Sequence, residues 1–144
     1  MGDRSAKVRR ILVTGGIGYL GSTLVPLLAQ FWPVRVLCTM DFGNAIEGTP
    51  NVEFIKGNVN DESALDRAME GCTDVCHLAA IVTDELVDMN PVYGQKVNFE
   101  GTRNVLKAIG KHGIKRLVYA SSGSVYGTQE EICTEATEPK PMTV

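Results

Sequence analysis

Residues Ile11–Ser22 read I-L-V-T-G-G-I-G-Y-L-G-S. Ile11, Leu12 and Val13 form an apolar run suited to a strand buried on both faces. Glycines follow at Gly15, Gly18 and Gly21, and an apolar pattern at helical spacing comes next. At Gly15 the chain must turn sharply off the strand, where a side chain would clash. At Gly18 the backbone can approach a pyrophosphate, and at Gly21 the helix can pack close to the sheet. The helix that opens here directs its free N–H groups and its positive dipole end toward phosphates. A glycine triplet alone occurs by chance in many chains. Here it follows a strand and opens a helix, the context that a dinucleotide-binding loop requires.

Beyond the loop, Leu20, Leu24, Leu27, Leu28 and Phe31 recur at helical spacing and are expected to form the face packed on a sheet. Pro26 lies past the first turn of this helix, where proline removes a backbone hydrogen bond, and Trp32-Pro33 closes it. Val34–Met40 predicts a second strand, Asp41–Asn51 a loop, and Val52–Ile55 a short third strand. Asp61 is placed as the N-cap of a helix whose inner face is Leu65, Ala68 and Met69, with Gly71 as its stop. Asp74–Leu78 predicts a fourth strand. A long helix runs from Asn90-Pro91 to His112-Gly113, and Arg116–Ser121 predicts a fifth strand. Gln129–Val144 is polar and is expected to be irregular.

Strands alternating with helices predict an α/β fold of the Rossmann type, a doubly wound parallel sheet with helices on both faces. Right-handed crossovers give the strand order 3-2-1-4-5. The 144 residues suffice for one domain, and 44% hydrophobic with 22% charged residues is an ordinary globular balance. A net charge of -3 offers no basic stripe, so nucleic acid is not an expected partner. No apolar run reaches membrane-spanning length and the polar start has no signal-peptide core, so no membrane is expected and the cytoplasm is the expected compartment. Cys38, Cys72, Cys76 and Cys133 lack metal-ligand spacing and are expected to be reduced, mostly buried thiols.

Four motifs in order resemble the extended short-chain dehydrogenase/reductase family, the NAD-dependent sugar-nucleotide epimerases and dehydratases. T-G-G-I-G-Y-L-G resembles the family's phosphate loop, and H-L-A-A at His77–Ala80 resembles its fourth-strand signature. N-F-E-G-T at Asn98–Thr102 resembles its asparagine motif, and S-S-G-S-V-Y-G at Ser121–Gly127 its fifth-strand signature. The resemblance implies that Gly15, Gly18 and Gly21 hold the pyrophosphate, with backbone N–H groups of Tyr19 and Leu20 beside it. It implies that Leu78, Ala79 and Ala80 lie along the nicotinamide ribose and that Asn98 sits on the cofactor side of the sheet. Ser122 is the catalytic residue implied, bonding the reacting substrate oxygen. His77 reads equally as a core residue at a strand end, Tyr126 as a packing residue, and Asn98 as a partner for local backbone.

The sequence departs from that pattern in three places. The acid that usually ends the second strand and takes the adenosine ribose hydroxyls is replaced by Cys38, with Asp41 three residues on as a substitute if the loop bends back. No arginine follows the strand to meet a 2′-phosphate. The family's G-D-V near the adenine reads Gly57-Asn58-Val59, so Asn58 accepts a hydrogen bond without charge. NAD is the expected cofactor, and NADP stays open. Third, the Y-x-x-x-K that supplies the family's base does not occur in these 144 residues.

The chain is therefore expected to comprise a polar leader at 1–10 and an incomplete cofactor-binding domain at 11–144, without the substrate domain. Its expected function is dinucleotide binding without turnover, within a parent acting on a nucleotide sugar or similar secondary alcohol. A cofactor-binding sensor and a purely structural module are the competing classes. The fifth strand is expected to be an exposed edge through which the chain forms homo-oligomers.

Overall fold

The computed structural model of the chain describes residues 8–41, 43–82 and 90–141. Five strands, β1 (Ile11–Thr14), β2 (Val34–Cys38), β3 (Val52–Lys56), β4 (Asp74–His77) and β5 (Arg116–Tyr119), make one parallel sheet. Their order is β3-β2-β1-β4-β5, as the alternation of elements predicts. The reversal of direction on either side of β1 leaves a crevice at the carboxyl ends of β1 and β4, where ligands of such sheets bind.

Helix α1 (Tyr19–Ala29) covers one face and α2 (Glu62–Met69) the other. Pro91–Gln95, a π turn at Lys96–Glu100 and Gly101–His112 follow one another as a third helical segment, α3, which packs beside α2. Asp61 caps α2 as expected, its carboxylate accepting from the Ala64 N–H at 3.1 Å. Asn90 likewise caps α3, accepting from Tyr93 N–H at 3.1 Å, and Gly113 ends it in the left-handed region. Gly123–Tyr126 forms one 3-10 turn, and no helix or strand follows in the described residues.

The buried face of α1 differs from the expected one. Gly21, Val25 and Ala29 are buried, Leu24 and Leu28 only partly, while Leu20, Leu27 and Phe31 are exposed. The small residues win because the helix start is pressed against the glycine loop: a Cβ on Gly21 would stand 2.5 Å from the Gly16 carbonyl carbon. A helix held that close puts small or β-branched side chains at the centre of the contact, with Leu24 and Leu28 packed at its margin. Pro26 lies inside α1, which runs on through it to Ala29 rather than to Trp32. Strand β2 stops at Cys38, two residues early, because Met40 takes a positive φ of 61° that an extended strand cannot hold. Of the cysteines, Cys72 and Cys76 are buried, Cys38 is half-buried and Cys133 is exposed.

One buried charge is fully employed. Arg35, on the α2 side of β2, donates from Nη1 to the carbonyls of Arg67, Ala68 and Glu70 at 3.2, 3.0 and 2.7 Å, and from Nε to Glu53 at 2.9 Å. It thereby satisfies the carbonyls at the α2 carboxyl end, where a cation also complements the helix dipole.

Candidate functional site

The glycine loop is fixed between the two strands that flank β1. Gly15 N–H donates to the Leu37 carbonyl of β2 at 2.8 Å, and Leu78 N–H of the β4 loop donates to the Thr14 carbonyl at 3.1 Å. Gly15 has φ 70°, and a Cβ there would lie 2.8 Å from the Ala79 backbone. Both facts reserve the position for glycine. Gly18 is different: the only atom a Cβ would meet is the Gly15 carbonyl oxygen at 3.2 Å. Nothing within the described protein fills the space outside it. Tyr19 and Leu20 stand in that open region, 94% and 59% exposed, at the start of α1. The first N–H groups of a helix have no intrahelical partner, so this end of α1 presents donors to solvent. An anionic diphosphate fits such a loop by charge, donor geometry and clearance.

A buried polar chain ties the loop to the rest of the crevice. Ala79 N–H donates to Thr14 Oγ1 at 3.3 Å, and Thr14 Oγ1 lies 2.6 Å from His77 Nδ1. On the other side, His77 Nε2 lies 3.1 Å from Thr102 Oγ1, which donates to the Asn98 carbonyl at 2.7 Å. The Thr102 hydroxyl spends its proton on Asn98, so Nε2 must carry the imidazole hydrogen and Nδ1 accepts from Thr14. His77 is 2% exposed, and burial pulls its pKa down to about 4. It is a neutral connector inside the fold and does not reach the surface of the crevice. Neither Thr14 nor Thr102 stands out in the sequence, although each lies within a motif quoted above.

Asn98 lies in the π turn of α3 and grips one residue of the β4 loop with both ends of its amide. Ile81 N–H donates to Oδ1 at 2.8 Å, and Nδ2 donates to the Ile81 carbonyl at 2.9 Å. Its side chain serves local backbone, and it acts on the crevice by holding the segment Leu78–Ile81 in place. Ala80 is exposed on that segment, while Leu78 and Ala79 are half-buried. Ser122 follows β5 and is exposed. Its hydroxyl accepts from Ser124 N–H at 3.2 Å, which caps the 3-10 turn. Tyr126 is half-buried.

The remaining predicted residues divide. Cys38 ends β2 beside the glycine loop. Asp41 is exposed in the turn beyond Met40, whose φ is 61°, and makes no hydrogen bond or ion pair among the described residues. Asn58 uses its side chain to accept from Asn60 N–H at 3.0 Å. The Val59 side chain is buried under α3, where a Cβ on Gly101 would approach it to 2.6 Å. Only the backbone of Val59 is left to face a ligand.

With that geometry established, the relatives become informative. Residues 11–144 match the NAD dependent epimerase/dehydratase family. The chain belongs to this family. UDP-glucose 4-epimerase 1 of Oryza sativa subsp. japonica is 33% identical over 91% of the chain and 41% of its own length. The 3 beta-hydroxysteroid dehydrogenase/Delta 5-->4-isomerase of Mycobacterium tuberculosis is 35% identical over 87% of the chain and 35% of its own length. Among solved structures, the UDP-glucose 4-epimerase of Thermus thermophilus in complex with NAD superposes with a TM-score of 0.84 at 34% identity. That match covers 93% of this chain and 45% of that one. The chain thus spans less than half the length of these family members. No described helix is long and apolar enough to cross a membrane.

Proposed function

We propose that these residues are the NAD-binding part of an epimerase or dehydratase acting on a nucleotide sugar. The carrying observation is the open space at Gly18, bounded by the donor-bearing start of α1 and fixed to β4 through Thr14 and Ala79. In this reading Gly15, Gly18 and Gly21 shape the loop, and backbone N–H groups of Tyr19 and Leu20 hold the pyrophosphate. Leu78, Ala79 and Ala80 line the nicotinamide ribose, with Asn98 as their positioning residue. The bound dinucleotide would supply the hydride acceptor.

Ser122 is the residue offered to the reacting oxygen, its exposed hydroxyl free to donate while it accepts from Ser124. A hydroxyl alone is a poor base, and proton transfer needs a group whose pKa suits the operating pH. These 144 residues hold no Y-x-x-x-K, and His77 is enclosed by Thr14 and Thr102. The chain by itself is therefore proposed to bind dinucleotide without turnover. Relatives named for a sugar nucleotide and for a steroid match this chain about equally well, 33% and 35% identical. That parity supports placing substrate choice outside these residues.

Thermal unfolding tests the reading. NAD should raise the melting temperature, because a ligand that binds only the folded state stabilises it. Gly18→Val should fold and lose the shift, since its side chain would fill the pyrophosphate space. An undiminished shift in that variant would place the dinucleotide elsewhere and overturn the reading.

A further inference from the structure

A dinucleotide site of this kind separates NAD from NADP at the carboxyl end of β2. A carboxylate there takes the ribose 2′-hydroxyl and repels a 2′-phosphate, whereas a nearby cation accommodates the phosphate. In this chain the strand ends in Cys38, which brings no carboxylate, and Asp41 follows three residues on, past the positive φ of Met40, exposed and without a hydrogen bond or ion pair among the described residues. The sequence shows no arginine after the strand. The cation comes from the neighbouring strand instead. In the parallel pairing of β2 with β3, Cys38 lies in register with Lys56. Registered residues on adjacent strands project from the same face, about 4.8 Å apart along the hydrogen-bonding direction.

That face is the one covered by α1, since Val34, Val36, Val52 and Phe54 on the same two strands all pack toward it. The strand end is firmly held: Gly57 N–H donates to the Cys38 carbonyl at 3.0 Å, one peptide away from the Leu37 carbonyl that anchors Gly15. Lys56 is exposed and makes no hydrogen bond or ion pair among the described residues. Its flexible stem is free to carry the ammonium to an anion lying over Cys38.

We propose that this chain accepts the 2′-phosphorylated dinucleotide alongside the unphosphorylated one, with Lys56 meeting the 2′-phosphate over Cys38. The inference rests on the dinucleotide reading of the glycine loop and adds to it a residue that determines cofactor choice. It requires no chemistry, only a charge pair at the mouth of the crevice.

Calorimetric titration of the chain with NAD+ and with NADP+ tests it. The two dissociation constants should lie within about tenfold of each other, because β2 ends in Cys38 rather than in a carboxylate that would repel the phosphate. Lys56→Gln should weaken NADP+ by about fivefold, as expected for one ion pair in a wet site, and leave NAD+ within about twofold. Cys38→Asp should weaken NADP+ by about tenfold or more without weakening NAD+. Added salt should erode NADP+ affinity more than NAD+ affinity in the parent chain and equally in Lys56→Gln. NAD+ binding with NADP+ more than about a hundredfold weaker would overturn the proposal while leaving the glycine loop intact. Equal weakening of both dinucleotides in Lys56→Gln would also overturn it. Failure of both to bind the parent chain would overturn the glycine-loop reading and this proposal together.

Discussion

Strands β1 and β5 carry similar apolar residues and meet opposite fates. Ile11, Leu12, Val13 and Thr14 are all buried, whereas Arg116, Leu117, Val118 and Tyr119 are all exposed. Strand β1 has neighbours on both edges, β2 and β4, and helices on both faces. Strand β5 has one described neighbour, β4, and little over either face. An apolar strand is an offer of surface, and position in the sheet decides whether the offer is taken up. The glycine loop grows from the enclosed strand and Ser122 follows the exposed one. The glycine-loop end of the crevice is thus held from both sides, and the Ser122 end follows a strand with one described neighbour.

The sharpest test of this contrast is truncation of matched side chains. Leu12→Ala should lower unfolding free energy by about 2–5 kcal/mol, since it empties a fully enclosed site. Denaturant titration measures it, and a loss under about 1 kcal/mol would mean the centre of the sheet repacks easily.

The next effect comes from pH. His77 is buried neutral between Thr14 and Thr102, with its pKa lowered to about 4 by burial. Unfolded, it titrates near the usual value of about 6.5. Between these values the unfolded chain binds the extra proton, so stability falls as pH drops from about 6.5 to about 4. The total loss is roughly 2–4 kcal/mol at about 1.4 kcal/mol per unit. His77→Gln should flatten that slope. A parent slope unchanged by this substitution would show that the imidazole is hydrated in the native state. Asp66 and Asp74, whose pKa values are lowered, act below the ordinary carboxylate range.

The smallest effect belongs to the edge. Leu117→Ala should change stability by less than about 1 kcal/mol, because that side chain is already 37% exposed. A loss as large as that of Leu12→Ala would mean that something covers β5 in solution.

Much of the fold was legible because it is written in local chemistry. The Asp61 and Asn90 caps, the left-handed Gly113 and the turn at Gly15 each need only a few neighbouring residues to act. The inner face of α1 was misjudged because leucines at helical spacing are no guide where a backbone-to-backbone contact at Gly21 sets the distance. Four motifs were visible as separate strings. That three of them join through Thr14, His77 and Thr102 was not visible, since hydroxyls give no periodic signal.

By itself the sequence determined the order of elements, the glycine loop and the parallel sheet. Strand runs, helical spacing and turn residues act over a few positions and survive without knowledge of the whole. Only the tertiary structure decided that β1 is enclosed while β5 has one neighbour among the described residues, that His77 is a sealed connector, and that Lys56 stands beside Cys38. Those outcomes depend on which strands become neighbours and in what register. The burial of the whole sheet sets that pairing, and residues 18 positions apart along the chain cannot announce it locally.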